Sequence, residues 1–128
     1  MKPATLKIDT IVLLQKDLAK AIAFYELLGG YCTFYQEQVW AEFDLAGIKL
    51  ALCPTDQILD RYSGLVFYIA DFQTVSESLL KAGYLLSAPT ETINGTVVMV
   101  TDPGGNKIEL ISGKNPHNHS VEPRCCSA

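Results

Sequence analysis

The strongest constraint on this chain is that it repeats itself. Residues 11–31, IVLLQKDLAKAIAFYELLGGY, align with residues 65–85, LVFYIADFQTVSESLLKAGYL. Asp71 answers Asp17 and Gly83 answers Gly29 at one common offset (71 − 17 = 83 − 29 = 54), which also carries Val12 onto Val66. Each copy reads as an apolar strand, an aspartate, a helical stretch and a glycine. A fold built on this pattern has two similar halves, and a two-fold repeat this short suits two sheets packed side by side rather than a solenoid.

Each repeated residue has a physical reason. Aspartate at the entry to a helix accepts hydrogen bonds from the free amides of the first turn and meets the positive end of the helix dipole. Leu18, Ala21, Ile22, Tyr25 and Leu28 recur at helical spacing, as do Phe72, Val75, Leu79 and Ala82. Gly29 and Gly83 stand where a helix ends in the left-handed conformation. After the first helix, three strands are expected at Tyr31–Gln36, Val39–Leu45 and Ile48–Cys53. After the second they are expected at Tyr84–Leu86, Thr96–Thr101 and Lys107–Ile111. The expectation is an α+β domain over residues 1–112, made of two tandem βαβββ modules. Module one covers 7–53, a linker 54–63 and module two 64–112, with 113–128 as a flexible tail.

The composition fits this plan. A chain of 128 residues makes one domain, and at this size roughly two thirds of the unfolded surface is buried on folding. A hydrophobic content of 48% with 19% charged residues is that of a compact globule rather than a disordered chain. A net charge of −4 disfavours nucleic acid and anionic membranes as partners. No stretch approaches the ~20 apolar residues of a membrane span, and the first residues lack the apolar core of a signal peptide, so a cytoplasmic location is expected. Cys32 and Cys53 fall in strand-like runs and Cys125 and Cys126 are neighbours, a pattern that does not suit a disulfide framework.

Two stretches carry a family resemblance. IDTIVLLQKDLAKAIAFYELLGG, with its D-L-x-x-A-x-x-F-Y-x-x-L-G pattern, and TDPGGNKIELI together resemble the vicinal oxygen chelate superfamily over residues 7–112. That superfamily includes glyoxalase I, bleomycin-resistance proteins, fosfomycin-resistance proteins and extradiol dioxygenases. The resemblance implies βαβββ modules whose mixed sheets curl into a glyoxalase-like cup, often within a homodimer. It also implies metal ligands at the first and last strand of each module. Those positions fall on Thr10, Ala51, Gly64 and Glu109. Glycine and alanine offer no donor, threonine is a poor one, and catalytic metal sites usually take about three protein ligands. Asp9 would point to the opposite face of its strand, and His117 and His119 lie in the tail. The residues therefore suggest no metal and no other cofactor, with a divalent ion at an unusual site as the alternative.

Strand alternation then assigns the lining of the cup. Thr10, Val12 and Leu14 would face inward, with Gly64, Val66 and Tyr68 in the second module. Lys107, Glu109 and Ile111 would do the same in the last strand, and Lys49, Ala51 and Cys53 in its counterpart. In Val39–Leu45 the apolar Val39, Ala41, Phe43 and Leu45 would pack on the helix, turning Trp40, Glu42 and Asp44 to the cup. Such a wall suits an organic ligand held by stacking and burial. Each member also has a plainer reading: Trp40 and Tyr68 as packing residues, Glu42 and Asp44 as solvated charges, Lys107 and Glu109 as a surface ion pair. In DPGGN, Asp102 and Asn106 are read as turn chemistry.

The function expected is that of a small-molecule-binding protein of the glyoxalase or bleomycin-resistance type. It would hold an apolar or aromatic ligand against Thr10, Val12, Leu14, Trp40, Glu42, Lys49, Ala51, Tyr68, Lys107 and Glu109. The alternative is a lyase, an isomerase or a dioxygenase-like enzyme with Glu109 as catalytic base or as ligand of an unusual divalent metal site. A third reading is a protein that acts by contact with another protein. The tail residues His117, His119, Cys125 and Cys126 are soft-metal ligand types at a spacing that matches no standard zinc pattern.

Overall fold

The computed structural model describes residues 5–113. The order is β1 (Thr10–Gln15), α1 (Leu18–Leu27), β2 (Cys32–Gln36), β3 (Trp40–Leu45) and β4 (Ile48–Pro54), then β5 (Arg61–Tyr68), α2 (Phe72–Lys81), β6 (Thr90–Thr92), β7 (Gly95–Thr101) and β8 (Asn106–Ser112). This is βαβββ twice. Each module forms a four-stranded mixed sheet, ordered β1-β4-β3-β2 in the first and β5-β8-β7-β6 in the second. In both, the first and last strands run parallel at one side of the sheet.

The helix boundaries follow the repeated residues. Asp17 accepts from the Lys20 amide at 3.1 Å and Asp71 from the Thr74 amide at 3.2 Å, capping α1 and α2. Gly29 and Gly83 follow the two C-caps with φ of +105° and +96°, a conformation that excludes most other residues.

Alternation along the strands separates a packed face from an open one. Leu13, Phe43, Leu50, Leu52, Val98, Val100, Ile108 and Leu110 are buried with Leu18, Ala21, Phe24 and Tyr25 of α1 and Leu79 of α2. One core thus serves both modules. Tyr25 sits at its centre, edge-on to Phe43 of module one (centroids 6.1 Å apart) and to Phe67 of module two (6.2 Å).

Three local expectations need correction. Residues 84–86 do not form a strand; Leu86 makes an isolated bridge to Val100, and the third strand of that group is Thr90–Thr92. Tyr84 turns its ring into the core against Phe24 (4.8 Å), and Pro89, with no N–H to donate, separates the Leu86 bridge from the ladder that starts at Thr90. Val39 does not pack on the helix. It lies half exposed in the turn before β3, with its amide bonded to the Gln36 carbonyl at 2.9 Å. Finally, Arg61, Tyr62 and Ser63, expected in the linker, are the first residues of β5.

Candidate functional site

The open faces hold the residues that alternation assigned to the cup. On module one, the ladder sets Thr10 beside Lys49, Val12 beside Ala51 and Leu14 beside Cys53. It sets Glu42 beside Ala51 and Asp44 beside Lys49, and Phe34 beside Glu42 on the other side of β3. Val12 and Phe34 are 45% and 49% exposed, so the face is open at its aliphatic and aromatic walls. Ala51 shares the face but has no accessible surface of its own. Trp40 and Glu42 are half-buried, and the indole Nε1 donates to Glu42 Oε2 at 2.8 Å.

On module two the ladder sets Tyr62 beside Lys107, Val66 beside Glu109 and Tyr68 beside Ile111. Four residues of β5 thus span what two residues span on β8, because β5 bulges. Gly64 lies in the bulge at φ +78°, Ser63 Oγ donates to the Lys107 carbonyl at 2.8 Å, and Ser63 Oγ accepts from the Leu65 amide at 3.1 Å. The result brings the Tyr62 hydroxyl to Glu109 Oε1 at 3.0 Å. Lys107 does not pair with Glu109 as the ion-pair reading supposed; its ammonium lies 2.9 Å from Asp60 Oδ1.

The residues at the four metal-ligand positions do not fit a divalent ion. Gly64 has no side chain and sits in the bulge, and Ala51 offers only a methyl group. The Thr10 hydroxyl donates to Asp9 Oδ2 at 2.6 Å. Glu109 alone carries a carboxylate. Among the described residues, no three His, Cys, Asp or Glu side chains are grouped closely enough to hold a metal ion. His117, His119, Cys125 and Cys126 lie outside the described residues.

Behind the open faces lies a polar cluster that the turn reading of DPGGN only half anticipated. Asp102 Oδ1 accepts from the amides of Gly104 and Asn106, both at 2.9 Å, as turn chemistry requires. Its Oδ2 accepts from Gln15 Nε2 at 2.7 Å and from the Tyr25 hydroxyl at 2.6 Å, both from module one. Asn106 Nδ2 donates to the Leu14 carbonyl at 2.9 Å, and Asn106 Oδ1 accepts from Arg61 Nε at 3.1 Å. Gln15 and Asn106 are fully buried and Asp102 nearly so. Burial, reinforced by the Asp102 charge and hydrogen bond, pushes the Tyr25 phenol far above its ordinary value. The one sequence signal for this cluster is Gln15 itself, a polar residue in the core-facing series Ile11, Leu13, Gln15.

Two hollows lie off the open faces, the second touching one of them at Tyr68. A cleft of about 530 Å³ at the start of α1 is lined by Lys16, Asp17, Tyr35, Glu37 and Thr55 among others. A smaller apolar crevice of about 170 Å³ lies between the modules near Tyr25, Phe43 and Phe67, bordered by Tyr68. Tyr68 is therefore shared between the crevice and the open face. No helix among the described residues is long and apolar enough to cross a membrane.

Solved structures with this architecture have varied activities. A mutant of FosX, the genomically encoded fosfomycin resistance protein of Listeria monocytogenes, solved with Mn(II) and 1S,2S-dihydroxypropylphosphonic acid, is 18% identical. It has a TM-score of 0.71, with 88% of this chain and 93% of that chain covered. Lactoylglutathione lyase from Agrobacterium tumefaciens is 20% identical with a TM-score of 0.66 over 88% of this chain and 96% of that one. TnmS3, an antibiotic binding protein from a Streptomyces species, is 23% identical with a TM-score of 0.65 over 88% and 100%. At these identities the likeness establishes the fold. The family model for the Glyoxalase/Bleomycin resistance protein/Dioxygenase superfamily matches residues 7–110, nearly all of the described chain, and this protein belongs to that superfamily.

Proposed function

We propose that this protein binds an organic small molecule on the open faces of its sheets and does so without a resident metal. The observation that carries the reading is the set of side chains at the metal positions, namely Thr10, Ala51, Gly64 and Glu109. In their place the faces offer Trp40, Phe34, Val12, Val66 and Tyr68, which provide apolar area and stacking surface. An antibiotic-binding protein with the same architecture lends support. A homodimer that closes one open face with another fits the half-exposed valines and aromatics.

The test combines a metal assay with a ligand screen. Protein expressed in metal-supplemented medium is expected to carry no stoichiometric nickel, zinc, iron or manganese. A varied panel of aromatic compounds and drugs is expected to include members that change Trp40 fluorescence saturably. Stoichiometric metal that disappears with Glu109→Ala overturns the reading, and so does a panel without a single saturable response.

A second reading, proton transfer by Glu109 in a lyase or isomerase, draws on the Tyr62 hydrogen bond. That bond orients the carboxylate on the open face. Turnover of a carbon acid that Glu109→Gln abolishes, with binding retained, would favour it.

A further inference from the structure

The open face of module one carries a charge in a setting that narrows the chemistry of its ligand. Glu42 is half-buried, with Phe34 directly across on β2, Ala51 directly across on β4 and Val12 beyond Ala51 on β1. The donor that holds its carboxylate, Trp40 Nε1, is neutral, so this hydrogen bond leaves the negative charge in place. An indole N–H donates in the plane of its ring. The bond therefore engages the edge of Trp40 and not its π faces.

Among the described residues Glu42 forms no ion pair with a lysine. Lys49 lies directly across from Asp44 in the β3–β4 ladder, and Lys107 pairs with Asp60. A neutral apolar ligand pressed against this face would strip water from Glu42 and return nothing to it, which is costly for a charged group. An anion would add repulsion. A ligand that carries its own positive charge offsets the loss, and an ammonium group is also attracted to the electron-rich faces of tryptophan and phenylalanine.

We propose that this face binds an organic cation, an ammonium group on an aromatic or aliphatic frame, with the cation beside Glu42, Trp40 and Phe34. The proposal rests on the reading of the open faces as a small-molecule site and specifies what that site selects. Module two has a similar combination in Glu109, Tyr62, Val66 and Tyr68, which share its open face.

Trp40 is the single tryptophan of the chain, so its fluorescence reports this face directly. The probes are benzyltrimethylammonium and neopentylbenzene, its neutral carbon isostere. The expected result is saturable quenching by the cation, with affinity about tenfold tighter than for the isostere and weakened by added salt. Glu42→Gln, which keeps an acceptor for the indole, is expected to cut the preference severalfold, weakening the cation and tightening the isostere, which no longer has a charged group to desolvate. Equal or tighter binding of the isostere by the unmodified protein overturns the cation proposal and leaves the small-molecule reading standing. A Glu42→Gln protein with the preference intact overturns it likewise. No saturable change with either probe overturns the cation proposal, while the wider panel decides the small-molecule reading. The ratio of affinities in the unmodified protein decides the matter even if the variant does not fold.

Discussion

The Tyr25 hydroxyl donates to Asp102 Oδ2 at 2.6 Å and so ties the first helix to the turn before the last strand. Asp102 is almost inaccessible to water, and a donor lost from a buried carboxylate is not made good by solvent, although Gln15 still bonds the same oxygen. Tyr25→Phe removes that donor and nothing else of the ring. The expected cost is about 1–3 kcal/mol of unfolding free energy, measured by urea denaturation with an unchanged m-value.

The same residue sets a pH dependence. The Tyr25 phenol is raised above its unfolded value of 10.0, first by burial and then by Asp102. The folded state therefore keeps a proton that the unfolded chain gives up. Its contribution to stability is complete below pH 10 and is lost as the pH climbs beyond it. Tyr25→Phe should flatten this alkaline loss, and phenolate absorbance should show one tyrosine of the intact protein ionising only as the fold opens.

Glycines of the second module should differ sharply in what they tolerate. A Cβ at Gly105, whose φ is +91°, runs into the Leu59 backbone, whereas one at Gly64, φ +78°, meets nothing within 4 Å. Gly64→Ala is expected to cost only the left-handed backbone penalty of about 1–2 kcal/mol. Gly105→Ala adds a backbone clash and should cost clearly more. Thermal unfolding of the two variants side by side checks the order.

Adjacent positions on β8 should respond oppositely to substitution. Lys107 and Asp60 form a partly exposed ion pair, with side-chain exposures of 39% and 79%. Lys107→Met is expected to cost under about 1 kcal/mol, and salt should erase the difference. Ile108, fully buried in the shared core, should cost about 2–5 kcal/mol when cut to alanine, independently of salt.

Much of the architecture was legible because its signals are local. Asp17 with Gly29, and Asp71 with Gly83, bracket their helices by capping chemistry that needs only a few neighbouring residues. Alternation placed Ala41 and Phe43 on the packed face for the same reason. What escaped depends on partners distant in sequence. Tyr62 reaches Glu109 only because Ser63 and Gly64 bulge out of the ladder, and YSG reads equally well as linker. Gln15 and Tyr25 look like a strand end and a helix stripe until the 102–106 turn arrives to bond them. Thr90–Thr92 takes its strand from pairing with Gly95–Val97 of β7, which no local pattern at residue 84 reveals.

The cluster around Asp102 also sets an order of events as the chain is made. Gln15 and Tyr25 lie 87 and 77 residues ahead of the carboxylate they bond. Closing so long a loop is entropically slow and comes late in folding. Until then the first module keeps Gln15 and Tyr25 without the partner that satisfies them, on a surface that is otherwise apolar core. A nascent chain halted before the β7–β8 turn should therefore be held loosely, and completion of residues 102–106 should be the step that makes both halves resistant to protease together.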